Sequence, residues 1–272
     1  MLLNIIAFIV HLWLVAALTP VNAPYQVLTS AHSHNDYQQA RPLWNAIGNQ
    51  FISIEADIHR SGQALLVGHD PEDLQADKTL QSLYLDPLRA YIREHNGRVY
   101  PDHELLLLID IKTAADSTYE ILREVLNNYA DILTAYTAEQ IKRRAVSVVI
   151  SGNRPRRLMY QEGTRYATYD GRLADLDSEM PPNFMILISD NWQRHFKWRG
   201  KKPMSAAERT KLAQIVTGVH AKGCRIRFWN LPDNDPVSLR TVWTVLISAG
   251  VDLISVDDLR AYRNFLIYDY AD

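Results

Sequence analysis

Short apolar runs alternate with longer amphipathic segments along the chain from residue 24 onward. The runs have the length of strands and are rich in Val, Ile and Leu, whereas the longer segments repeat apolar residues at helical spacing. We predict strands over residues 27–31, 51–58, 64–67, 105–109, 146–150, 165–169, 184–188, 224–229 and 252–256. We predict helices over residues 42–47, 79–95, 117–129, 205–221, 236–249 and 259–268. This pattern is typical of an α/β protein.

The number and order of these elements favour a single-domain (β/α)8 TIM barrel over residues 24–272. About eight strands that alternate with helices in about 250 residues match the usual size of that fold. The continuous apolar run at residues 105–109 fits a parallel strand that is covered on both faces. A doubly wound open sheet is the competing architecture, but no Gly-rich phosphate turn follows the first predicted strand.

The first 23 residues differ in pattern from the rest of the chain. Residues 2–18 are almost continuously apolar, and small residues precede Pro24. This predicts a secretory signal that is cleaved after Ala23, and hence a secreted or extracytoplasmic protein. Because no Lys or Arg precedes the apolar run, an uncleaved membrane anchor over residues 1–23 is the alternative.

Composition and charge narrow the classes of function. The 272 residues are 47% hydrophobic and 22% charged, which is ordinary for a globular domain. A formal net charge of -2 gives no sign of a polyanion-binding surface, so we expect no nucleic-acid partner. Cys224 is the single cysteine, which excludes an internal disulfide and a cysteine-based zinc site.

Two carboxylates close the second predicted strand. Glu55 and Asp57 are two residues apart, so both side chains leave the same face of the strand. Neighbouring carboxylates repel, and their burial without a partner is unfavourable. A divalent cation between them and ion pairs to arginine are two solutions that the pair alone does not separate.

Other polar residues follow the remaining predicted strands. TIM barrels build their active sites from the loops at this end of the strands. The residues concerned are His32, His34, Asn35, His69, Asp70, Asp110, Lys112, Asn153, Arg154, Asp170, Arg172, Asp190, Asn191, Trp229, Asn230 and Asp257. We interpret Asp190, Asp257 and Asp258 as turn formers or helix caps, and His59, His103 and His220 as ordinary hydrogen-bonded histidines.

A division of labour follows from these residue types. Glu55, Asp57 and Asp110 offer the oxygen ligands that Mg²⁺ or Ca²⁺ prefers. His32 and His69 could act as acid and base, because imidazole titrates near neutral pH.

The remaining polar residues at this end could bind an anionic substrate. Lys112, Arg227 or Arg154 could neutralise charge on phosphate oxygens. We add His34, Asn35, Asn153 and Trp229 as further candidates for contact with the substrate.

Four motifs in this order resemble the barrels of the glycerophosphodiester phosphodiesterase and phosphatidylinositol phospholipase C-like superfamily. They are Ala-His at 31–32, Ile-Glu-Ala-Asp at 54–57, Leu-Val-Gly-His-Asp at 66–70 and Leu-Ile-Asp-Ile-Lys at 108–112. The branch named after "altered inheritance of mitochondria protein 6" is the most similar. Its motifs are His-Ser-His-Asn-Asp-Tyr at 32–37, Ser-Asp-Asn-Trp at 189–192, Lys-Trp-Arg-Gly at 197–200, Arg-Phe-Trp at 227–229 and residues 251–259.

The resemblance implies a phosphoric diester hydrolase or lyase of lipid metabolism. It implies Glu55, Asp57 and Asp110 as ligands of one Mg²⁺ or Ca²⁺, and His32 and His69 as the acid–base pair. The implied substrate is a small phosphodiester, a glycerophosphodiester or a lysophospholipid, cleaved by water or by an internal hydroxyl.

The sequence departs from the glycerophosphodiesterase pattern in three places. His-Ser-His replaces His-Arg-Gly after the first strand, the Glu-Asn pair is absent, and the third metal ligand is Asp where Glu is common. These departures leave the substrate open.

Two other functions compete with this one. His32-Ser33-His34 is a His-x-His motif, as in metal hydrolases of the amidohydrolase or polymerase-and-histidinol-phosphatase type, but only Asp170 and Asp190 follow the later strands.

The third hypothesis is a non-catalytic extracellular ligand-binding barrel with Trp192, Trp198 and Trp229 at its mouth. Residues 191–204 would then form a lid or a loop that contacts a membrane surface, or else a plain surface loop. The sequence does not predict an oligomeric state.

Overall fold

A computed structural model of the chain describes residues 26–181, 183–232 and 235–270. Eight parallel strands close into a barrel, because β1 pairs with β2 on one side and with β8 on the other. The strands are β1 (Leu28–Ser33), β2 (Phe51–Ser61), β3 (Leu105–Ile111), β4 (Val146–Gly152), β5 (Thr168–Gly171), β6 (Leu187–Asn191), β7 (Arg225–Trp229) and β8 (Leu253–Val256). The predicted single-domain TIM barrel is confirmed.

Helices cover the outside of the barrel between the strands. They are α1 (Trp44–Gly48), α2 (Asp86–Glu94), α3 (Ala115–Asn127), α4 (Arg156–Gln161), α5 (Trp192–His195), α6 (Ala206–Ala221), α7 (Pro236–Ser248) and α8 (Leu259–Asn264). A π-helical turn, Gln81–Leu85, precedes α2, and another, Phe265–Asp269, extends α8. The six predicted helices are therefore present, while the short helices α4 and α5 were not predicted.

The fifth and sixth strands each begin three residues later than predicted, the sixth at Leu187 and not at residue 184. The strand expected over 165–169 occupies Thr168–Gly171, and a 3₁₀ turn, Leu173–Asp175, follows it. Ser205 caps α6 by accepting a hydrogen bond from the Glu208 backbone N–H. The Glu208 carboxylate accepts from the backbone N–H of Lys197, so it holds the loop that precedes α6.

The register of β2 and β3 positions the acidic residues. Asp57 lies directly opposite Asp110 across the two parallel strands, and Glu55 lies opposite Leu108. Leu105 to Ile109 are all buried, which fits the continuous apolar run of a parallel strand with both faces covered. Both acids of β2 therefore reach the upper barrel interior beside the end of β3.

A short antiparallel strand brings a further residue to the same end of the barrel. Residues Ala64–Val67 pair with the end of β2, in register from Ile58 opposite Val67 to Ser61 opposite Ala64. The chain then returns toward β2, and the Gly68 N–H donates to the carbonyl of Asp57 at 3.3 Å. This hairpin places His69 next to the acids of β2.

Candidate active site

Three carboxylates converge where β2 and β3 end. One oxygen from each of Glu55, Asp57 and Asp110 lies within 4.8 Å of the others, as predicted for a metal site. The alternation of side chains on β2 and the register with β3 produce this convergence. In the described part of the chain this is the one cluster of His, Cys, Asp or Glu with such spacing.

Glu55 is held by two cationic or polar neighbours. Nε2 of His32 lies 2.8 Å from Glu55 Oε2, and Nη1 of Arg227 donates to the same oxygen at 2.7 Å. Burial alone would raise the pKa of Glu55, but Arg227 and the hydrogen bond with His32 outweigh it and hold the pKa well below its usual range. Glu55 is therefore an anion, and Oε1 is left for another partner.

Asp57 is fully buried, and one of its oxygens has no partner. Its Oδ2 accepts from the hydroxyl of Tyr37 at 2.7 Å and lies 3.0 Å from Nζ of Lys112. Its Oδ1 is buried and makes no hydrogen bond with any described residue. A buried carboxylate oxygen without a donor is costly, so this atom could serve as a ligand for a cation.

Asp110 completes the cluster from β3. Its Oδ1 lies 3.2 Å from Nζ of Lys112. Burial raises the pKa of Asp110 to about 6, because Glu55 and Asp57 add to the effect of burial and Lys112 only partly opposes it. Near neutral pH the carboxyl is therefore still mostly ionised, and a nearby cation would favour the ionised form further.

Gly152 makes room for the Asp110 side chain. It ends β4 with a φ of +68°, a conformation that L side chains rarely adopt. A Cβ at this position would overlap the Asp110 carboxylate and the backbone of Ile111. The glycine is therefore a requirement of the acid cluster that the sequence motifs did not reveal.

The donor set fits a hard divalent cation. Carboxylate oxygens are the ligands that Mg²⁺ and Ca²⁺ prefer, and Asp57 Oδ1 is an unsatisfied one. In this structure the ammonium group of Lys112 partly neutralises Asp57 and Asp110. Because Lys112 is 26% exposed and has a flexible stem, it can turn toward the mouth when a cation takes its place.

His69 lies at the rim of this cluster. Its Nδ1 is 3.1 Å from Asp57 Oδ2, and its side chain is 47% exposed. The Tyr37 hydroxyl is 3.3 Å from the same nitrogen, and the buried His59 ring donates from Nε2 to the His69 carbonyl at 3.1 Å. His59 is therefore a hydrogen-bonded core residue, as predicted, and it also fixes the loop that carries His69.

His32 and His34 occupy different surroundings although both point into the barrel. His32 has no exposed surface, and its Nδ1 lies 2.7 Å from Ser53 Oγ while Nε2 contacts Glu55. Burial, reinforced by Arg227, lowers the pKa of His32 to about 4. His34 lies nearer the mouth, with Nδ1 2.8 Å from Asp257 Oδ1. The proton-transfer role of His32 remains a prediction.

A cavity of about 380 Å³ opens at this end of the barrel. Nine of the predicted site residues line it: His34, Asn35, Glu55, His69, Asp110, Lys112, Asn153, Arg227 and Trp229. His32 and Asp57 lie deeper and have no exposed surface. A larger cavity of about 980 Å³ opens at the opposite end of the barrel, where TIM barrels do not place their catalytic residues.

The predicted substrate-binding residues already have structural contacts. Asn153 donates from Nδ2 to the carbonyls of Lys112 and Thr113, so it fixes the loop after β3. Asn35 has a left-handed backbone, with φ of 46°, and its Oδ1 lies 2.9 Å from the hydroxyl oxygen of Tyr37. Their contact with a substrate remains a prediction.

Three residues of the site had no predicted role. Tyr37 links the loop after β1 to Asp57, although it is part of the His-Ser-His-Asn-Asp-Tyr motif at 32–37. Arg172 lines the cavity from the end of β5, where its Nη1 donates to Asp170 Oδ2 at 2.8 Å. Ser53 lies opposite His32 in the parallel pairing of β1 with β2, and its hydroxyl is 2.7 Å from Nδ1 of His32.

The structure tests the roles predicted for the acids Asp190, Asp257 and Asp258. Asp258 caps α8 by accepting from the Ala261 N–H, as expected. Asp190 lies within β6 instead of a turn or cap, and its carboxylate accepts from the N–H groups of Leu173 and Asn191. Asp257 was predicted to be a turn former, but its carboxylate contacts the ring of His34. The contact arises because β8 is the neighbour of β1 in the closed barrel.

Two of the three tryptophans expected at the mouth are buried elsewhere. Trp192 is fully buried and stacks on Phe196 with ring centroids 4.1 Å apart. It also packs edge-on against Phe228, and its Nε1 donates to the Trp198 carbonyl. The aromatic residues of the 191–204 loop thus fold onto the outside of β7, and Trp229 alone of the three lines the cavity.

The geometry gives no support to a His-x-His metal centre. The acid cluster described above contains no histidine. Both carboxylate oxygens of Asp170 already have hydrogen-bond donors. They accept from the hydroxyls of Ser151 and Ser189 at 2.7 Å and from Arg172. The oxygen-only cluster therefore favours a hard cation over the transition metals that such hydrolases hold.

Comparison with known proteins assigns the chain to a family. A family model described as the AIM6-like phosphodiesterase domain matches residues 25–170, which include the acid cluster, His32 and His69. The chain belongs to this family. Membership in the AIM6-like family confirms the predicted superfamily and branch, and it supports an enzyme with phosphodiesterase activity.

Relatives of the AIM6-like family resemble the chain over most of its length. "Altered inheritance of mitochondria protein 6" of Eremothecium gossypii is 32% identical, over 92% of the chain and 72% of that relative. A homolog from Arthroderma benhamiae is 26% identical, over 86% of the chain and 82% of the relative. The Saccharomyces cerevisiae protein is 27% identical, over 84% and 68%.

These AIM6-like relatives correct the predicted localisation. We expected a secreted, extracytoplasmic or membrane-anchored chain from its apolar start. The relatives are named for the inheritance of mitochondria, a cellular process, and this contradicts that expectation. The predicted signal or anchor over 1–23 lies outside the described residues. In the portion that is described, every helix is too short or too polar to span a membrane.

Proposed function

We propose that this chain is a metal-dependent phosphodiesterase that cleaves small phosphodiesters in the cavity at the carboxyl end of the barrel strands. The observation that carries the proposal is the unpartnered, buried Asp57 Oδ1 within a cluster of three carboxylates. A cluster of this kind with a histidine at its rim and cationic side chains in its walls suits an anionic, phosphorus-centred substrate.

Glu55, Asp57 and Asp110 would hold one divalent cation, Mg²⁺ or Ca²⁺. The site residues favour these hard cations, because each ligand is a carboxylate oxygen. A bound cation would supply Lewis-acid polarisation of the phosphoryl group. The guanidinium of Arg227 and the ring of His32 would keep Glu55 ionised and fixed in place.

The walls of the cavity would bind and orient the substrate. Lys112, Arg172 and Arg227 bring positive charge to a space of about 380 Å³. That volume is at the small end of ligand cavities, which fits a glycerophosphodiester or the head group of a lysophospholipid. Trp229 would offer an apolar surface to the carbon part of such a molecule.

His69 would be one of two proton-transfer groups. Its half-exposed ring lines the cavity, and Asp57 and the carbonyl-anchored loop fix its position. The attacking hydroxyl must lose a proton as its bond to phosphorus forms, and the leaving oxygen must gain one as its bond breaks. The predicted partner of His69 is His32.

The test is a substrate panel with defined product analysis. The purified chain is incubated with glycerophosphodiesters and lysophospholipids, with Mg²⁺, with Ca²⁺ and with excess chelator, and phosphorus NMR identifies monoester or cyclic products. We expect turnover that the chelator abolishes and that one of the two cations restores. Asp57→Asn should be inactive, whereas Asp102→Asn, an exposed acid at the opposite end of the barrel, should match the wild type.

Some results would overturn the proposal. Turnover that persists in excess chelator would exclude the metal, and so would full activity of the Asp57→Asn variant. Restoration by Zn²⁺ or Mn²⁺ but by neither Mg²⁺ nor Ca²⁺ would favour the His-x-His hydrolases.

A further inference from the structure

His32 and His34 stand in two successive layers of the barrel. His32 lies on β1 and His34 directly follows the end of that strand, so His34 lies nearer the mouth, where it lines the cavity. His32 is fully buried, and both of its ring nitrogens already have partners, Ser53 and Glu55. To exchange a proton with a substrate, His32 would have to break one of these contacts beneath the acid cluster.

His34 meets the requirements that His32 does not. It lines the cavity together with His69, and its side chain is 31% exposed. Its Nδ1 lies 2.8 Å from the carboxylate of Asp257, which fixes the ring and leaves Nε2 as the free nitrogen. A histidine oriented through one nitrogen by a carboxylate, with the other nitrogen free, is the arrangement that acid–base catalysis uses.

We propose that His34, oriented by Asp257, and not His32, is the proton-transfer partner of His69. The inference rests on the proposed phosphodiesterase function. One imidazole takes the proton of the attacking hydroxyl as the new O–P bond forms. The other, as imidazolium, gives its proton to the leaving oxygen as the old P–O bond breaks, so the pair neither gains nor loses a proton overall.

The groups that face His34 belong to four strands. Asp257 follows β8, Glu55 lies on β2, Arg227 on β7 and His32 on β1. Burial lowers the pKa of His34, but the hydrogen bond to Asp257 and the charge of Glu55 outweigh burial and the charge of Arg227, so the pKa lies above its ordinary value. His34 can therefore carry a proton near neutral pH.

His32 becomes a positioning residue under this proposal. Together with Arg227 it fixes Oε2 of Glu55, and with Ser53 it ties β1 to β2. Such a residue acts through the metal ligand and not on the substrate. Its loss should weaken cation binding by about 10–100-fold, the usual effect of a group that supports a ligand.

The experiment compares His34→Ala, His32→Ala and His103→Ala, where His103 is an exposed histidine at the opposite end of the barrel. We expect His34→Ala to lose about 10²–10⁴-fold in kcat, with partial rescue by added imidazole and loss of one limb of the pH profile. His32→Ala should gain nothing from imidazole but should recover with excess Mg²⁺ or Ca²⁺. His103→Ala should match the wild type.

Two further variants serve as controls, one for folding and one for the contact between His34 and Asp257. His32→Gln keeps polar contacts in the core if His32→Ala does not fold. Asp257→Asn should move the limb that belongs to His34 to lower pH. The same shift should be seen by nitrogen NMR of the His34 ring, which needs no turnover.

The outcomes separate this inference from the function itself. A wild-type chain that cleaves no diester overturns both. An active wild type whose His34→Ala variant keeps its kcat and both pH limbs overturns the inference alone, as does imidazole rescue of His32→Ala. The inference is also overturned if the pKa of the His34 ring, measured by nitrogen NMR, is the same in Asp257→Asn as in the wild type.

Discussion

Tyr37 donates its hydroxyl to Asp57, with 2.7 Å between the phenolic oxygen and Oδ2. Burial and the neighbouring Asp57 raise the pKa of Tyr37 far above its usual range, so the hydroxyl remains a donor at any physiological pH. The loop after β1 therefore supports an acid of the proposed metal site.

We expect Tyr37→Phe to weaken cation binding by about tenfold, because Asp57 loses a donor that orients it. Calorimetric titration of Mg²⁺ or Ca²⁺ into the metal-free chain measures this effect. Tyr160→Phe, at an exposed position, is the control and should bind as the wild type does. Unchanged affinity in Tyr37→Phe would remove Tyr37 from the site.

Lys112 and a divalent cation should substitute for each other in stabilising the acid cluster. Its ammonium lies 3.0 Å from Asp57 and 3.2 Å from Asp110. Lys112→Met should lower the free energy of unfolding of the metal-free chain by about 1–3 kcal/mol, because Asp57 and Asp110 lose their shared cationic partner. Added Mg²⁺ or Ca²⁺ should restore most of this loss.

Chemical denaturation with and without the cation measures this exchange. Lys142→Met, at an exposed position, is the control and should show no loss. If the cation raises the free energy of unfolding of the wild type and of Lys112→Met equally, Lys112 and the cation do not neutralise the same carboxylates.

Gly152→Ala should damage the acid cluster from a neighbouring strand. The new Cβ would overlap the Asp110 carboxylate, and the φ of +68° would be strained for alanine. We expect a loss of about 1–3 kcal/mol in the free energy of unfolding, together with loss of cation binding. Gly163→Ala, which adds a Cβ in open space, should affect neither quantity. Retention of full cation affinity in Gly152→Ala would contradict the crowding argument.

The contact between His34 and Asp257 should make stability depend on pH. Burial alone would lower the pKa of His34, but the hydrogen bond to Asp257 and the charges of Glu55 and Asp257 together outweigh burial, so the folded state raises this pKa above its ordinary value. A raised histidine pKa stabilises the fold fully below the unfolded pKa of about 6.5, and this contribution is lost as pH rises through the folded pKa.

The difference in unfolding free energy between the wild type and Asp257→Asn measures that contribution. It should therefore be largest at about pH 5.5 and should shrink by about pH 9. Denaturant titrations across this range would show it. A difference that grows with pH would have the wrong sign for a raised pKa.

The alternation and spacing of residues were enough to predict the fold and the acid cluster. Glu55 and Asp57 share a face because strands have a period of two, and Asp110 ends the next long apolar run. The position of His69 near the acids could also be predicted, because the short strand Ala64–Val67 folds back on β2. These contacts are either local in sequence or follow from adjacent parallel strands.

The parts that sequence did not predict depend on how distant segments meet. His34 and Asp257 are 223 positions apart and touch only because the barrel closes. The burial of Trp192 follows from its packing against Phe228 on β7, which no local pattern reports. The orientation of His32 and His34 into separate layers likewise needed the register of β1 with its neighbours.

The pairing of β1 with β8, which closes the barrel, has a consequence for shortened forms of the protein. Residues 25–170 already contain every acid of the cluster, yet Arg227 and Asp257 come from the final strands. A product that stops before β7 would contain the three carboxylates of the cluster but not Arg227, and its barrel could not close. Proteolysis or a premature stop codon late in the message should therefore yield an inert fragment and not a smaller enzyme.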